Sequence, residues 1–471
     1  MKKLITLVAA VCSAAVVQAV DDHWTVMNRE EGGTKISDGV WEFSCRGNIG
    51  WIDGCIKWPD APTELDFSKP ILSGGKDVTA TFINLGTYFN LNATAAPFVS
   101  KVIFPEHFKF ICTRSFYGCS NLASFWTLDS TTGERVKGRF PARLDRIGDN
   151  VFTGCSFSDM ACDLYFPGPT QIDDNPGFPG KDYTAIRFGP SFRSVGNGAF
   201  ENCTNLQSVV FEEPITVTKI GSSAFKGCTS LSSFTPFLPA SLTSIGQSAF
   251  AGDTALELDL YITNGVTSLN WEQFMNTGIT SATLLDPLAD IGRNAFVNCH
   301  NLRWVKLPKK SLVSLGSGIC PFMGCENLEW VDPFLPDSVK VLSNNAFNGC
   351  VKLQGAVYLM GVETVTHEKH FLGTQVDKMY VGPNASSLSK LCQGMSKLTD
   401  VYWYGPMPAD IQNTFLDDKK LTVTNHVNVD YLDSWKTANP NVGRVPVSWT
   451  NGSEQWIVRW NPHAGLMLIL R

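Results

Sequence analysis

The sequence predicts a solenoid: a curved stack of short parallel β-strands joined by turns and short helical or 3-10 segments, with a β-rich cap at each end. Three observations predict it. A phenylalanine recurs at a nearly constant interval along two-thirds of the chain. A cysteine and then a leucine follow it at fixed distances. Each unit then runs into a short alternating apolar and polar stretch, the pattern of a half-buried strand. Length alone, 471 residues, would suggest about three globular domains at roughly 150 residues each; a repeat replaces that with one quasi-one-dimensional stack.

Composition sets the outer limits. Charged residues make up only 17%, below the roughly 25% of ordinary soluble proteins. With 38 basic and 44 acidic side chains the net charge is -6, so no cationic field exists to hold a nucleic acid. Thirty Phe, 13 Trp and 10 Tyr are too many for a solvated coil.

Residues 1–19 read as a secretory signal peptide: Lys2 and Lys3, an apolar run over 4–17, then Val17-Gln18-Ala19 as a cleavage site. Cys12 suggests a lipoprotein only weakly, because Val11 before it is bulkier than the residue usual there. No later segment reaches the roughly 18 apolar residues of a membrane span. Residues 20–98, with Trp24, Trp41, Trp51 and Trp58, read as an N-terminal β-rich cap that merges into irregular first coils.

Residues 99–405 carry the repeat Ile-Gly-x-x-Ala-Phe-x-x-Cys-x-x-Leu, clearest from Val195, Ile220 and Ile291, with a partial copy from Ile147. The anchors are Phe116, Phe152, Phe200, Phe225, Phe250, Phe274, Phe296, Phe322, Phe347 and Phe371, with gaps of 36, 48, 25, 25, 24, 22, 26, 25 and 24. The two long gaps predict surface loops around 129–139 and 171–182. Three residues after an anchor stands a Cys (119, 155, 203, 228, 299, 325, 350), a small apolar filler for a narrow core. Four residues before it stands a Gly (148, 196, 221, 246, 292), which suits positive φ or a close backbone approach. Phe274 and Phe371 have Thr277 and Thr374 in the Cys slot, which predicts looser coils there. Residues 406–448 read as a C-terminal cap with a short helix over 431–435, and 449–471 as a β tail: one more strand of the cap, or a docking element.

This repeat resembles the BspA-like leucine-rich repeats, a class of bacterial surface proteins. The likeness covers residues 99–405 and is most specific over 195–355. It implies a leucine-rich-repeat solenoid with a ladder of parallel strands, exported to the cell exterior. It also implies adhesion to host proteins or between cells, with no catalytic residues and no cofactor.

Other chemistry reads as structure. His367-Glu-Lys-His370 is one residue short of the His-Glu-x-x-His spacing of a zinc site and falls on ordinary repeat slots. There is no Cys-x-x-Cys. Cys45 with Cys55 is the best disulfide candidate, and Cys320 with Cys325 a weaker one. Asp173 and Asp174 lie in a Gly/Pro-rich loop and suit a turn. No hydrolase elbow, phosphate loop or calcium loop is present, and a regular repeat offers no cleft for paired catalytic carboxylates.

Strand alternation names the candidate binding residues. Positions two and four after the repeat Leu face outward: Trp304 and Lys306 after Leu302, Trp330 and Asp332 after Leu328. Coils stack at about 4.8 Å, so the two indoles are expected side by side. Val357, Lys378, Tyr380, Asp400 and Tyr402 continue the face, whereas earlier coils offer Ser208, Val210, Ser233 and Thr235, with Trp126 isolated. Aromatics with mixed charge suit a protein partner outside the cell. A glycan, or further copies of the chain in an envelope structure, are the alternatives.

Overall fold

The computed structural model describes residues 24–28, 34–46, 51–73, 76–78, 84–85, 91, 95–178, 183–262, 266–315, 320–342, 344–366, 368–408, 424–431, 434–435, 437, 457–461 and 466–470. The chain is a β-solenoid of short parallel strands, divided into two compact units, residues 1–192 and 193–471.

In the first unit an antiparallel meander, Trp24–Asn28, Thr34–Ser37, Glu42–Arg46 and Trp51–Lys57, leads into coils. Two parallel rows follow. Trp51–Lys57 pairs Asn84–Leu85, which is succeeded by Phe110–Ile111, Arg146–Ile147 and Gln171–Ile172. Thr63–Asp66 pairs Val99–Pro105, which pairs Ser124–Leu128. Trp41 is fully buried, and its Nε1 donates to the Glu64 carbonyl at 3.1 Å.

Each predicted loop contains a strand. Within 129–139, Arg135–Lys137 folds back as a hairpin strand on Ser124–Leu128. Within 171–182, Gln171–Ile172 is a rung of the first row, so the long gap hides a coil. Its anchor register falls on Gly177, and Phe178, one residue out of phase, stacks on Phe152 with centroids 5.5 Å apart.

The second unit repeats one coil plan. A row of two-residue strands precedes the anchors, as in Lys219–Ile220 beside Ser244–Ile245. A wider row follows the leucines. It comprises Ser208–Phe211 and Ser233–Thr235, then Asp259–Ile262, Ser281–Leu284, Trp304–Lys306 and Trp330–Asp332, and separately Gln354–Leu359, Gln375–Val381, Asp400–Trp403 and Thr424–Asn428. Leu466–Leu470 adds antiparallel to Thr424–Asn428, and Ile457–Asn461 adds to it in turn. Residue 435 is helical, and Trp435 donates from Nε1 to the Gly405 carbonyl at 3.1 Å.

Between the two rows the anchor segments form turns instead of the expected helical pieces, because their amides serve the next coil. The N–H groups of Ser223, Phe225 and Gly227 donate to the carbonyls of Gln247, Ala249 and Ala251. Left-handed φ two residues either side of the anchor, +54° at Ser223 and +76° at Gly227, aims them there. The Gly four residues before the anchor serves close approach and not positive φ: a Cβ on Gly246 would strike the backbone of Ser222.

The anchors form a column. From Phe200 to Phe371, successive rings are 5.4 to 5.7 Å apart and stack nearly parallel, and all have zero exposure. Beside them the thiols of Cys228, Cys299, Cys325 and Cys350 each donate to the carbonyl of the preceding coil's anchor. The coils at Thr277 and Thr374 are not looser. Each hydroxyl donates at 2.8 Å to its own anchor's carbonyl, and both side chains are buried. One slot escaped the sequence reading: Asp253 follows Phe250, and its buried carboxylate accepts the Cys228 N–H at 2.9 Å. A further coil is anchored by Cys392, with left-handed Lys390 and Gly394 around it.

Candidate functional site: the strand face of residues 193–471

Alternation along the wide strands buries one side chain in two and turns the next outward. Val305 and Val331 lie in the core while Trp304 and Trp330 stand outside, opposite each other in register. Their rings stack at 5.8 Å and 14°. Lys306 stands opposite Asp332. Trp330 is 50% exposed, and Trp304 is half-buried. The same rows begin at Asp259 and Tyr261 and pass through the small, buried Ser281 and Thr283.

A second run of rings occupies the strands from residue 354 onward. Tyr358, Tyr380, Tyr402 and His426 stack in succession at 4.7, 4.6 and 4.2 Å, each pair within 8° of parallel. Lys378 is exposed and stands opposite Asp400. Asp400 takes a hydrogen bond from the Thr399 hydroxyl at 2.8 Å and pairs His426 Nε2 at 2.8 Å. Burial pushes the Tyr380 phenol above its ordinary range, with the neighbouring phenols adding to the effect. Burial, and then the Asp400 carboxylate, does the same at Tyr402. Both remain neutral hydroxyl donors.

One outward position is corrected. Val357 is fully buried: the alternation after Leu353 restarts past left-handed Gly355, so Val357 and Leu359 face the core, and at the same place the pairing shifts register, with Asp377 of the neighbouring strand as the extra residue. Tyr358 takes the outward place and is 46% exposed. The apolar phase of Val357 and Leu359 was the signal that would have found it. His426 had no such signal, since its strand carries no repeat motif.

The other candidates lie elsewhere. Cys45 stands opposite Ile52, and Cys55 opposite Phe43; neither of the two proposed pairs is joined as a disulfide. Cys45 and Cys55 are separated by a register step, and the Cys55 thiol donates to the Lys57 carbonyl at 3.3 Å. Burial pushes the Cys55 thiol up to about 12. Asp173 is buried and pairs with Arg146 at 2.5 Å. His370 is buried in its repeat slot; His367, like Cys12 and residues 1–19, lies outside the described residues. Among the described residues no three His, Cys, Asp or Glu side chains are grouped to hold a metal ion.

The sequence profile of the BspA type leucine rich repeat region, in six copies, matches residues 94–163, 134–257, 170–303 and 289–413. Among solved structures, a leucine-rich repeat protein from Bacteroides ovatus is similar at 19% identity and a TM-score of 0.55, over 86% of this chain and 99% of that one. A leucine rich cell surface protein from Faecalibacterium prausnitzii gives 18% identity and 0.44, over 82% and 98%. The pneumococcal vaccine antigen PcpA gives 15% and 0.42, over 88% and 96%. No curated protein matches the chain.

Proposed function

Because the chain belongs to the BspA type leucine-rich repeat family, we propose that it is an exported binding or adhesion module whose strand face contacts an extracellular protein. Proteins of this family and fold are generally non-enzymatic, and among the described residues no helix is long and apolar enough to cross a membrane. The observation that supports the reading is the pair of ring stacks on the open face of the second unit, Trp304 with Trp330 and Tyr358 through His426. Large rigid aromatics bury much area at little entropic cost, which is why they dominate binding hot spots. A regular solenoid presents them preformed, so docking demands little rearrangement.

The stacking favours a protein over a glycan. Tyr380 and Tyr402 have both ring faces covered by neighbours, so they offer edges and hydroxyls, whereas a sugar ring needs a free aromatic face. The test is the Trp304→Ala, Trp330→Ala double variant against immobilised extracellular-matrix proteins. Affinity is expected to fall about tenfold or more, with unfolding shifted by no more than about 1.5 kcal/mol. Undiminished binding, or a collapse of stability, sinks the reading. Binding only on a glycan array, or light scattering that rises with concentration, would replace it with the corresponding alternative.

A further inference from the structure

The two ring stacks are separated by a hollow of about 580 Å³. It lies between the strand Trp330–Asp332 and the strand Gln354–Leu359, which do not pair. Val331, Phe334 and Ala356 line its apolar part, and Asp332, Asp337 and Tyr358 its polar part. Gly355 leaves open space: a Cβ there would meet nothing within 4 Å. Tyr358, the ring that ends its stack here, is 46% exposed.

The outward rings of the first unit show what such positions ordinarily hold. Lys101 sits 4.7 Å over Trp126 and pairs with Glu64 at 3.1 Å. Lys137 lies 5.8 Å from the same ring and pairs with Asp159. Arg187 covers Tyr165 at 4.6 Å. In each case the chain supplies its own cation, and at Trp126 that cation is held between a ring and a carboxylate. Trp330, Asp332 and Tyr358 repeat the rings and the carboxylate, but among the described residues no cation lies over either ring and the Asp332 carboxylate has no ion pair or hydrogen bond, its backbone carbonyl alone accepting the Leu307 N–H.

We propose that this hollow is a socket for an arginine side chain of the partner protein. The planar guanidinium stacks on the free face of Tyr358 and meets the Asp332 carboxylate, while its stem lies along Val331 and Ala356. Lysine supplies the charge without the plane and fits less well. Of the lining residues two are carboxylates, Asp332 and Asp337, and one is a cation, Lys309; Lys306 stands opposite Asp332 in register, and among the described residues neither lysine forms an ion pair with it. The inference rests on the strand face being a binding surface and names the chemistry that it reads.

The test uses the full mature chain and two small probes, N-acetyl-argininamide and its neutral isostere N-acetyl-citrullinamide, followed by ligand-observed saturation-transfer NMR. A saturable response to argininamide is expected, about fivefold weaker in Asp332→Asn and in Tyr358→Ala, with little response to citrullinamide. No saturable response to argininamide, an equal response to both probes, or an argininamide response unmoved by both substitutions overturns the socket. Failure here beside a matrix-protein interaction that still depends on Trp304 and Trp330 removes the socket alone; loss of that interaction's dependence removes the binding face itself.

Discussion

Two columns of stacked rings run through the second unit with nearly the same geometry and opposite surroundings. The Phe column keeps 5.4 to 5.7 Å between centroids and is sealed from solvent. The Tyr column keeps 4.2 to 4.7 Å and stands on the open face. Coil repetition brings like residues into register whatever their role, so stacking itself does not distinguish core from binding surface. Strand phase does. The Phe rings close a core that each coil cannot bury alone, while the Tyr rings cover one another and leave hydroxyls and edges to water.

The difference can be broken most severely from the inside. Phe322→Ala removes a ring between Phe296 and Phe347 and leaves a cavity where neighbours cannot collapse. It is expected to cost about 3–5 kcal/mol in urea unfolding. A loss below about 1 kcal/mol would mean that the column is not the core.

Asp253 sharpens the same contrast, because it places a carboxyl among the thiols. Its Oδ2 is buried without a partner, and burial holds the acid well above the usual carboxylate range. Stability from a raised acid is full below the unfolded value near 3.8 and declines as pH rises toward the folded value. Asp253→Cys restores the repeat residue, and the Cys228 N–H keeps its bond to the Phe225 carbonyl. The variant is expected to gain about 1–3 kcal/mol at neutral pH and to flatten the pH dependence of the melting temperature above pH 4. An unchanged pH slope refutes the assignment.

The smallest effect belongs to the outer column. Tyr380→Ala removes two half-exposed stacking contacts and should cost about 1 kcal/mol or less, with the thermal transition still cooperative. A loss as large as that of Phe322→Ala would make the outer rings part of the scaffold.

These regions were unequally legible in the sequence. The core column could be read because Phe, Cys and Leu recur in fixed phase. It failed where a substitution left that phase, at Phe178 by one residue and at Cys392 by losing the ring. The Trp304 and Trp330 adjacency followed from alternation, since nothing interrupts the strands between Leu302 and Asp332. Past Leu353 the same arithmetic chose Val357, because left-handed Gly355 resets the alternation and reverses the faces. The hollow follows from the missing pairing between Trp330–Asp332 and Gln354–Leu359, which no local pattern encodes. The first unit's hairpin at Arg135–Lys137 was hidden for a similar reason: two of its three residues are charged, and only its pairing makes it a strand.

The anchor turns, with amides turned toward the next coil, give each coil in the second unit a third line of attachment beside its two strand rows. Under tension between the chain's ends, a terminal coil is therefore held at three corners and leaves as a whole. Coils here are mostly 22 to 26 residues, so each one released lengthens the chain by about 70–90 Å. Single-molecule stretching is expected to show a sawtooth with that step. For a protein fixed at one point and gripping at another, such stepwise yielding absorbs a sudden pull by extension, while the coils that carry the grip stay folded.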